Sequence, residues 1–419
     1  VRAAQGEHGD VADAAEGPRK DVMSRYTIDA DQIHSQSEAA RKRSATGQGA
    51  ELARRLDKGE VLSGEDLATL FLATDVATDD LLAIASRTRG DVEEVETFSP
   101  LYLTNECHGE CKMCGMRRFN DELRRETADE ATSRHQLDIL HKRGMRGVAL
   151  LTGEYSQGDL RDDMMGKVRV ALGDALDRDF EHVLINIGSL DEPDYDALFA
   201  DVPRRDDGEF APHVTMCTFQ ETYDPSVYSK FMGTNGGNPR ADYQRRLANF
   251  DRAHAAGMRS ANPGVLLGLN RDVAFEMIAL TEHVRHLMDK GMRVYISLPR
   301  LRKASGAEHV RGVSDDELAR VVSVLTAGLP GADVVISTRE APPIQQRLLP
   351  AIGVLTAGSP GVAPYDDSGA RFELEASQFE VNDERPFEVI LDECIAAGTK
   401  ISGYESQSEG YESLREHAG

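Results

Sequence analysis

The chain has few thiols, a deficit of positive charge and no long apolar run, and each absence narrows what it does. Nothing approaches the roughly eighteen consecutive apolar residues of a membrane-spanning helix, and no signal-peptide pattern is found. The cytoplasm is therefore the expected site, with no membrane partner. Lys and Arg total 48 against 72 Asp and Glu, a net charge of −24. Such a surface repels phosphate backbones and acidic bilayers, so no nucleic-acid partner is expected, and the acidity otherwise reads as solubility. Only five cysteines occur in 419 residues. The count is odd and three stand too close together for a disulfide framework. That points to a reducing compartment, where clustered thiols serve metal binding or catalysis.

The rest of the chain falls into four expected parts. Residues 1–22 hold no aromatic residue and few large aliphatics, and are expected to be disordered; Met23 is a candidate natural start. Residues 23–97 read as a helical extension, with polar helices in "EDLATLFLATD" and "DDLLAIASRTRG". Over 98–365, eight β-branched runs alternate with amphipathic stretches that end in glycine. The runs are "FSPLYLT", "GVALLTGE", "HVLINIGS", "HVTMCTF", "NPGVLLGL", "RVYISLP", "ADVVIST" and "IGVLTAGS". The expected fold class is α/β, a TIM-type (β/α)8 barrel, with a doubly wound open sheet as the alternative. Residues 366–419 read as a small α/β addition, a strand and a helix followed by a frayed tail. Barrel chemistry sits in the loops after the strands, where the polar motifs of this chain fall.

One loop stands out. "ECHGECKMCGMRRFN" holds Cys107, Cys111 and Cys114 in the spacing C-x3-C-x2-C. A structural zinc site wants four ligands, usually two separated pairs. His108 would complete one only as a cramped site. Cys217 lies in a strand-like run and Cys394 in an amphipathic helical stretch, as buried apolar thiols do. Three thiolates suit a 4Fe–4S cluster with one iron left open, as catalytic metal sites keep an open position.

This motif, just after a first barrel strand, resembles the radical S-adenosylmethionine (SAM) superfamily. The resemblance implies that Cys107, Cys111 and Cys114 hold a 4Fe–4S cluster and that the open iron chelates the amino and carboxylate groups of SAM. One electron then cleaves SAM to methionine and a 5′-deoxyadenosyl radical. An electron donor such as flavodoxin or ferredoxin is the implied partner. Met113 stands where the superfamily usually has an aromatic residue. Gly153 and Glu154 in "LLTGEY" resemble its Gly-Gly-Glu motif, with Thr152 in place of the first glycine; an ordinary strand-to-turn junction reads the same way. Asn186 and Ser189 in "INIGS" are expected near the ribose or methionine part of SAM, or serve as turn residues. Gly264 and Gly268 let backbone approach the adenine, or let helix and strand pack closely. Gln220, Glu221 and Tyr223 in "FQETY" bring polar groups to the mouth. Of Arg245 and Arg246, one is expected on the SAM carboxylate, and solvation of a helix face is the other reading.

"LYLTNEC", "FQETY", "SLPRLR" and "SQFEV" narrow the resemblance to the aromatic amino acid lyases, over residues 98–385. It is strongest to the tryptophan lyases (3-methyl-2-indolate synthases) and next to the tyrosine lyases of thiamin biosynthesis. The tail has no second cysteine cluster, unlike the hydrogenase-maturation tyrosine lyase. An aromatic amino acid substrate is thus implied. Arg339 in "VVISTRE" follows the seventh run, where a guanidinium can grip a carboxylate with two prongs; a surface pair with Glu340 is the alternative. The resemblance makes Arg339 the substrate carboxylate anchor and places Tyr102, Arg300 and Thr356 beside the substrate. Thr356 replaces a serine, and Lys303 stands where proline is usual. In the lyases a nitrogen-centred radical of the substrate then breaks a bond to Cα. A metal-bearing scaffold without catalysis is the reading from outside enzymology.

Overall fold

The structure is a computed structural model and describes residues 25–90, 94–208, 210, 213–308 and 312–407. The expectations for residues 1–22, for Met23 and for the end of the tail lie outside these. Each of the eight expected runs contains a strand. In chain order the strands are β1 (Glu94–Glu96), β2 (Ser99–Tyr102), β3 (Gly147–Leu151), β4 (His182–Asn186), β5 (His213–Glu221), β6 (Ser260–Val265), β7 (Arg293–Ser297), β8 (Ala332–Ser337), β9 (Val354–Thr356) and β10 (Lys400–Ser402). All pair in parallel, in the order β10-β1-β9-β8-β7-β6-β5-β4-β3-β2. No reversal interrupts the run from β2 to β9, as a doubly wound sheet would require.

β1 and β2 are two halves of one strand. β1 pairs with β9 and β10, whereas β2 pairs with β3, so the sheet curls round on itself into the TIM-type barrel. At the seam the ladder is replaced by side chains. Thr97 Oγ1 donates to the Leu355 carbonyl and Ser99 Oγ to that of Ala357, each at 2.7 Å. The sheet thus starts before residue 98, inside the segment expected to be helical. "EVE" does not look like a buried strand. Glu96 is tolerated there because His182, Tyr295 and Arg293 contact its carboxylate.

The strands are apolar on both faces because helices cover the outside; β3 and β4 are buried almost throughout. The helix Val273–Asp289 starts at the N-cap Asp272, which accepts from the Phe275 amide. The N-terminal helices α1 (Ala30–Ser44), α2 (Gly49–Asp57), α3 (Gly64–Leu72) and α4 (Thr78–Arg89) pack on this helix and on the helix Asp315–Gly328. α3 opens with a capping box between Ser63 and Asp66. Its last carbonyls are met by Arg320, which donates to Leu70, Phe71, Ala73 and Val76. Ser37 and Arg41 hold Asp272 from α1. At the other terminus, the helix Phe387–Ala396 leads into β10, which joins the sheet beside β1. Among the described residues, no helix is long and apolar enough to cross a membrane.

Candidate active site

A cavity of about 1700 Å³, its open mouth included, lies inside the barrel. Phe98, Ala149, Leu184 and Val335 of the strands form an apolar cluster lining it. The loop after β2 reaches it with Cys107, Cys111 and Cys114. This loop is held from behind. Arg125 donates to the carbonyls of Asn105, Met116 and Arg117, and Asn120 donates to those of Gly115 and Ser305.

Each cysteine sits in a shaped contact. Cys107 Sγ accepts from the amides of Gly109 at 3.2 Å and Glu154 at 3.3 Å. Gln378 Nε2 lies 3.5 Å from Cys114 Sγ. Gly153 makes the crossing of the two loops possible. A Cβ there would stand 2.1 Å from the Glu106 carbonyl oxygen and 2.6 Å from Cys107 Cβ. Burial pushes the Cys107 thiol up to about 11 and the Cys111 thiol up to about 12. Both are therefore neutral at physiological pH until a cation displaces their protons.

The donor set fits an iron–sulfur cluster better than one metal ion. Tetrahedral zinc with sulfur at about 2.3 Å sets its ligand atoms roughly 3.8 Å apart. Among the described residues, the one trio of His, Cys, Asp or Glu ligand atoms that close together is Glu96, His182 and His213, not the three cysteines. Among the described residues, two buried guanidinium atoms of side chains that line the same cavity, Arg117 Nη1 and Arg240 Nε, have no hydrogen-bond partner, the nearest carboxylate to Arg240 Nε being Glu154 at 3.7 Å. Burial disfavours the Arg240 charge, but Cys111, Glu221 and other groups around it outweigh that and hold its pKa above the ordinary value. Orphaned donors beside three thiols suit an anionic group.

Glu154 is the hub of the adjoining wall. It is buried, and its carboxylate accepts from the Ser189 amide at 3.0 Å and from Arg246 Nη1 at 2.9 Å. Arg246 also donates to the Phe219 carbonyl. Gly188, with φ +91°, leaves space that a Cβ would take from Glu154 Cγ, 2.5 Å away. Arg245 pairs with Asp191, donates to the Ser189 carbonyl at 2.9 Å and places Nη1 3.8 Å from Glu154 Oε1, so it braces the same wall from behind. Glu221 is a non-glycine residue with φ +69°, at a register shift where β5 meets β6, and it accepts from Arg240. The bulge turns its carboxylate into the cavity.

Across the cavity is Arg339. Its guanidinium carbon stands 3.3 Å from the centroid of the Phe379 ring. Burial lowers its pKa to about 10, so it stays cationic at neutral pH. The alternative pairing with Glu340 is not made. Glu340 is buried, and Arg300 and Arg302 both hold it. Tyr102 lies nearby, its hydroxyl donating to Gln378 Oε1 at 2.6 Å, and Thr356 also lines the wall.

The cavity thus gathers Tyr102, Cys107, Cys111, Cys114, Gly153, Glu154, Asn186, Glu221, Arg246, Arg339 and Thr356 from the expected residues. Five others fall elsewhere. Gln220 alternates with Phe219 and Glu221 along β5, so its side chain points to the opposite face. Tyr223 is fully buried and donates to, or accepts from, His283 Nδ1 at 2.7 Å. Ser189 contributes its amide to Glu154, and its side chain lies behind the wall. Gly264 makes room for Phe219, whose Cδ1 would lie 2.6 Å from an added Cβ, which is the close-packing alternative. Arg300 is held by Asp315, Glu340 and the Val313 carbonyl. Sequence reasoning missed Arg240, Gln378 and Phe379. The last two belong to "SQFEV", a stretch that carried the family resemblance without assigned roles; Arg240 has no strand-end signal.

No family model matches the chain. It is 27% identical to a 2-iminoacetate synthase of Salmonella typhimurium over 348 residues, covering 80% of this chain and 85% of that protein. Identity to a 2-iminoacetate synthase of Escherichia coli is 26% over 359 residues, or 83% and 88% of the two chains. The fold matches the FeFe-hydrogenase maturase HydG of Carboxydothermus hydrogenoformans with a TM-score of 0.76 at 24% identity, over 91% of this chain and 85% of that one. Methylornithine synthase PylB has the same fold, with a TM-score of 0.64 at 16% identity over 84% and 97%. The chain is thus similar in sequence to the 2-iminoacetate synthases and shares its barrel with HydG and PylB, with three cysteines gathered at the cavity.

Proposed function

We propose that the protein cleaves an aromatic amino acid, with L-tryptophan converted to 3-methyl-2-indolate as the leading reaction. The observation that carries an amino acid substrate is Arg339. It is a cationic guanidinium lining the cavity, stacked on Phe379, and its neighbouring carboxylate is taken by two other arginines. A planar fork of this kind binds a carboxylate with two prongs. The apolar strand residues Phe98, Ala149, Leu184 and Val335 suit an aromatic ring. Tryptophan rests on the sequence stretches "RGVALLTGEY", "VTMCTFQETYD" and "GSPGVAPY", which resemble the tryptophan lyases. The second reading, tyrosine giving p-cresol and dehydroglycine, is favoured by the two 2-iminoacetate synthase relatives.

When bound, the cluster and SAM would supply radical chemistry at the substrate's amino group. The protein's own part is placement. Cys107, Cys111 and Cys114 would hold the cluster. Glu154, fixed by Arg246 and the Ser189 amide, would present a carboxylate to the amino group of SAM, and Asn186 and Glu221 line the same cavity. Arg339 fixes the substrate carboxylate, and Tyr102 and Thr356 set the distance of the substrate's Cα from the loop. An electron carrier such as flavodoxin or ferredoxin completes the system in the cell.

Anaerobic turnover with SAM, a chemical reductant and each aromatic amino acid in turn, read by mass spectrometry, tests both readings. 3-Methyl-2-indolate from tryptophan supports the first, and p-cresol from tyrosine supports the second. 5′-Deoxyadenosine with no product from any aromatic amino acid overturns both.

A further inference from the structure

The floor of the cavity is apolar on one side, where Phe98, Ala149, Leu184 and Val335 meet, and polar in one corner. Cys217, Asn262 and Ser297 line that corner from the neighbouring strands β5, β6 and β7, and all three are buried. Asn262 is its centre. β6 and β7 are in register at Ala261 with Val294 and again at Gly264 with Ser297, and between these points Pro263 has no N–H to give. Asn262 Nδ2 takes over, donating to the Tyr295 carbonyl at 2.9 Å and to Ser297 Oγ at 3.0 Å. A carbonyl can only accept, so this duty fixes which way the amide is turned. Oδ1 is therefore an acceptor held in place. It takes the Cys217 thiol at 3.1 Å, a weak donor, with the Ser297 hydroxyl 3.2 Å away.

We propose that Asn262 Oδ1, with Ser297 Oγ beside it, recognises a polar hydrogen on the substrate's ring, an indole N–H or a phenol O–H, and so selects against phenylalanine. The proposal rests on the aromatic amino acid reading above. Depth supports it. Ser297 is in register with Val335, four residues before Arg339. At about 3.3 Å per residue the corner lies roughly 13 Å deeper than the Arg339 backbone. The Arg339 side chain spans part of that depth, so an amino acid gripped there by its carboxylate turns its ring to the floor. A ring N–H or O–H is a better donor than a thiol and displaces Cys217 from Oδ1. A phenyl ring offers nothing in exchange and leaves the thiol where it is. A phenol additionally accepts from the Ser297 hydroxyl, whereas an indole N–H only donates.

The test uses the full-length protein, purified anaerobically and saturated with SAM. Dissociation constants are measured for two pairs of amino acids. One pair is tryptophan and β-(3-benzothienyl)alanine, in which sulfur replaces the ring N–H; the other is tyrosine and phenylalanine. Turnover with a chemical reductant shows which pair contains the substrate. Within that pair, wild-type protein should bind the member lacking the polar hydrogen at least about tenfold more weakly. In Asn262→Ala the preference should shrink to within about twofold. That variant also frees the Tyr295 carbonyl, so a second one leaves Asn262 in place. Cys217→Val sets a methyl over Oδ1 and should shrink the preference in the same way while the iron content stays at the wild-type level. Equal wild-type affinity within the pair, or a preference unchanged in either folded variant, overturns this proposal alone. Failure of every aromatic amino acid to bind or react overturns the aromatic reading and this proposal with it.

Discussion

Arg339 lies over the ring of Phe379, its guanidinium carbon 3.3 Å from the centroid, while its neighbour Glu340 is claimed by Arg300 and Arg302. The stack presents the cation to the cavity without cancelling its charge. That relationship separates a substrate anchor from a surface ion pair, and it makes the first prediction specific.

Loss of a desolvated, charge-assisted contact costs about 2–5 kcal/mol, roughly 30- to several-thousand-fold in product formation. Arg339→Ala should therefore lose product by that factor while retaining the iron content and some uncoupled 5′-deoxyadenosine. Arg339→Lys should recover little, because a point charge does not reproduce the fork. Phe379→Ala should fall between them, since it removes the platform and leaves the cation. Product formation near wild type in Arg339→Ala would remove the main support for an amino acid substrate.

The barrel was legible because its strands are buried on both faces and announce themselves as apolar runs between glycine-ended helices. β1 was not, since Glu96 is made burial-compatible by His182, Arg293 and Tyr295, partners 86 to 199 residues away in sequence. The cysteine loop was legible from spacing alone. Side-chain direction was not. Gln220 and Glu221 are adjacent in "FQETY", yet a bulge decides that Glu221 faces the cavity. Arg300 and Arg339 both follow strands, and only the placement of Glu340 shows which of them is free.

The cysteines divide by role. Alanine at Cys107, Cys111 or Cys114 should each abolish cluster retention and SAM cleavage, because in the proposed site each would supply one iron ligand. Cys394→Ala should leave the iron content at the wild-type level. Cys217 is the more informative control, since it lines the cavity with its thiol 3.1 Å from Asn262 Oδ1. Cys217→Ala should keep the cluster. Iron and sulfide analysis with the visible spectrum reads all five variants.

Gly153 tests the loop crossing without removing a ligand. Its replacement by alanine drives a methyl into the Glu106 carbonyl and Cys107 Cβ, so one loop must retreat. Overpacking of this sort costs about 1–3 kcal/mol, which a domain of this size survives. Gly153→Ala should therefore melt as a folded protein but bind substoichiometric iron. A full iron complement in that variant would show that the two loops move independently.

The last prediction concerns the opposite end of the barrel. Burial tends to raise the Glu96 pKa, but the His182 contact, Arg293 and Tyr295 outweigh it and bring the carboxyl down to about 2. A depressed acid contributes stability that is fully present above its unfolded value, about 4.5, and is lost as pH falls through its folded value. Converting that fall from 4.5 to about 2 gives roughly 3–3.5 kcal/mol at neutral pH. The His213 ring, stacked on His182 at 3.9 Å, is held neutral by burial down to about pH 3, so it adds no opposing charge above that value. Glu96→Gln should lower the denaturation midpoint at pH 7 and leave His182 without its anion. Below about pH 4 the wild type should lose the advantage, so that the two denaturation curves converge toward pH 2. Curves that stay equally separated from pH 7 down to pH 2.5 would show that Glu96 acts through packing and not through its charge.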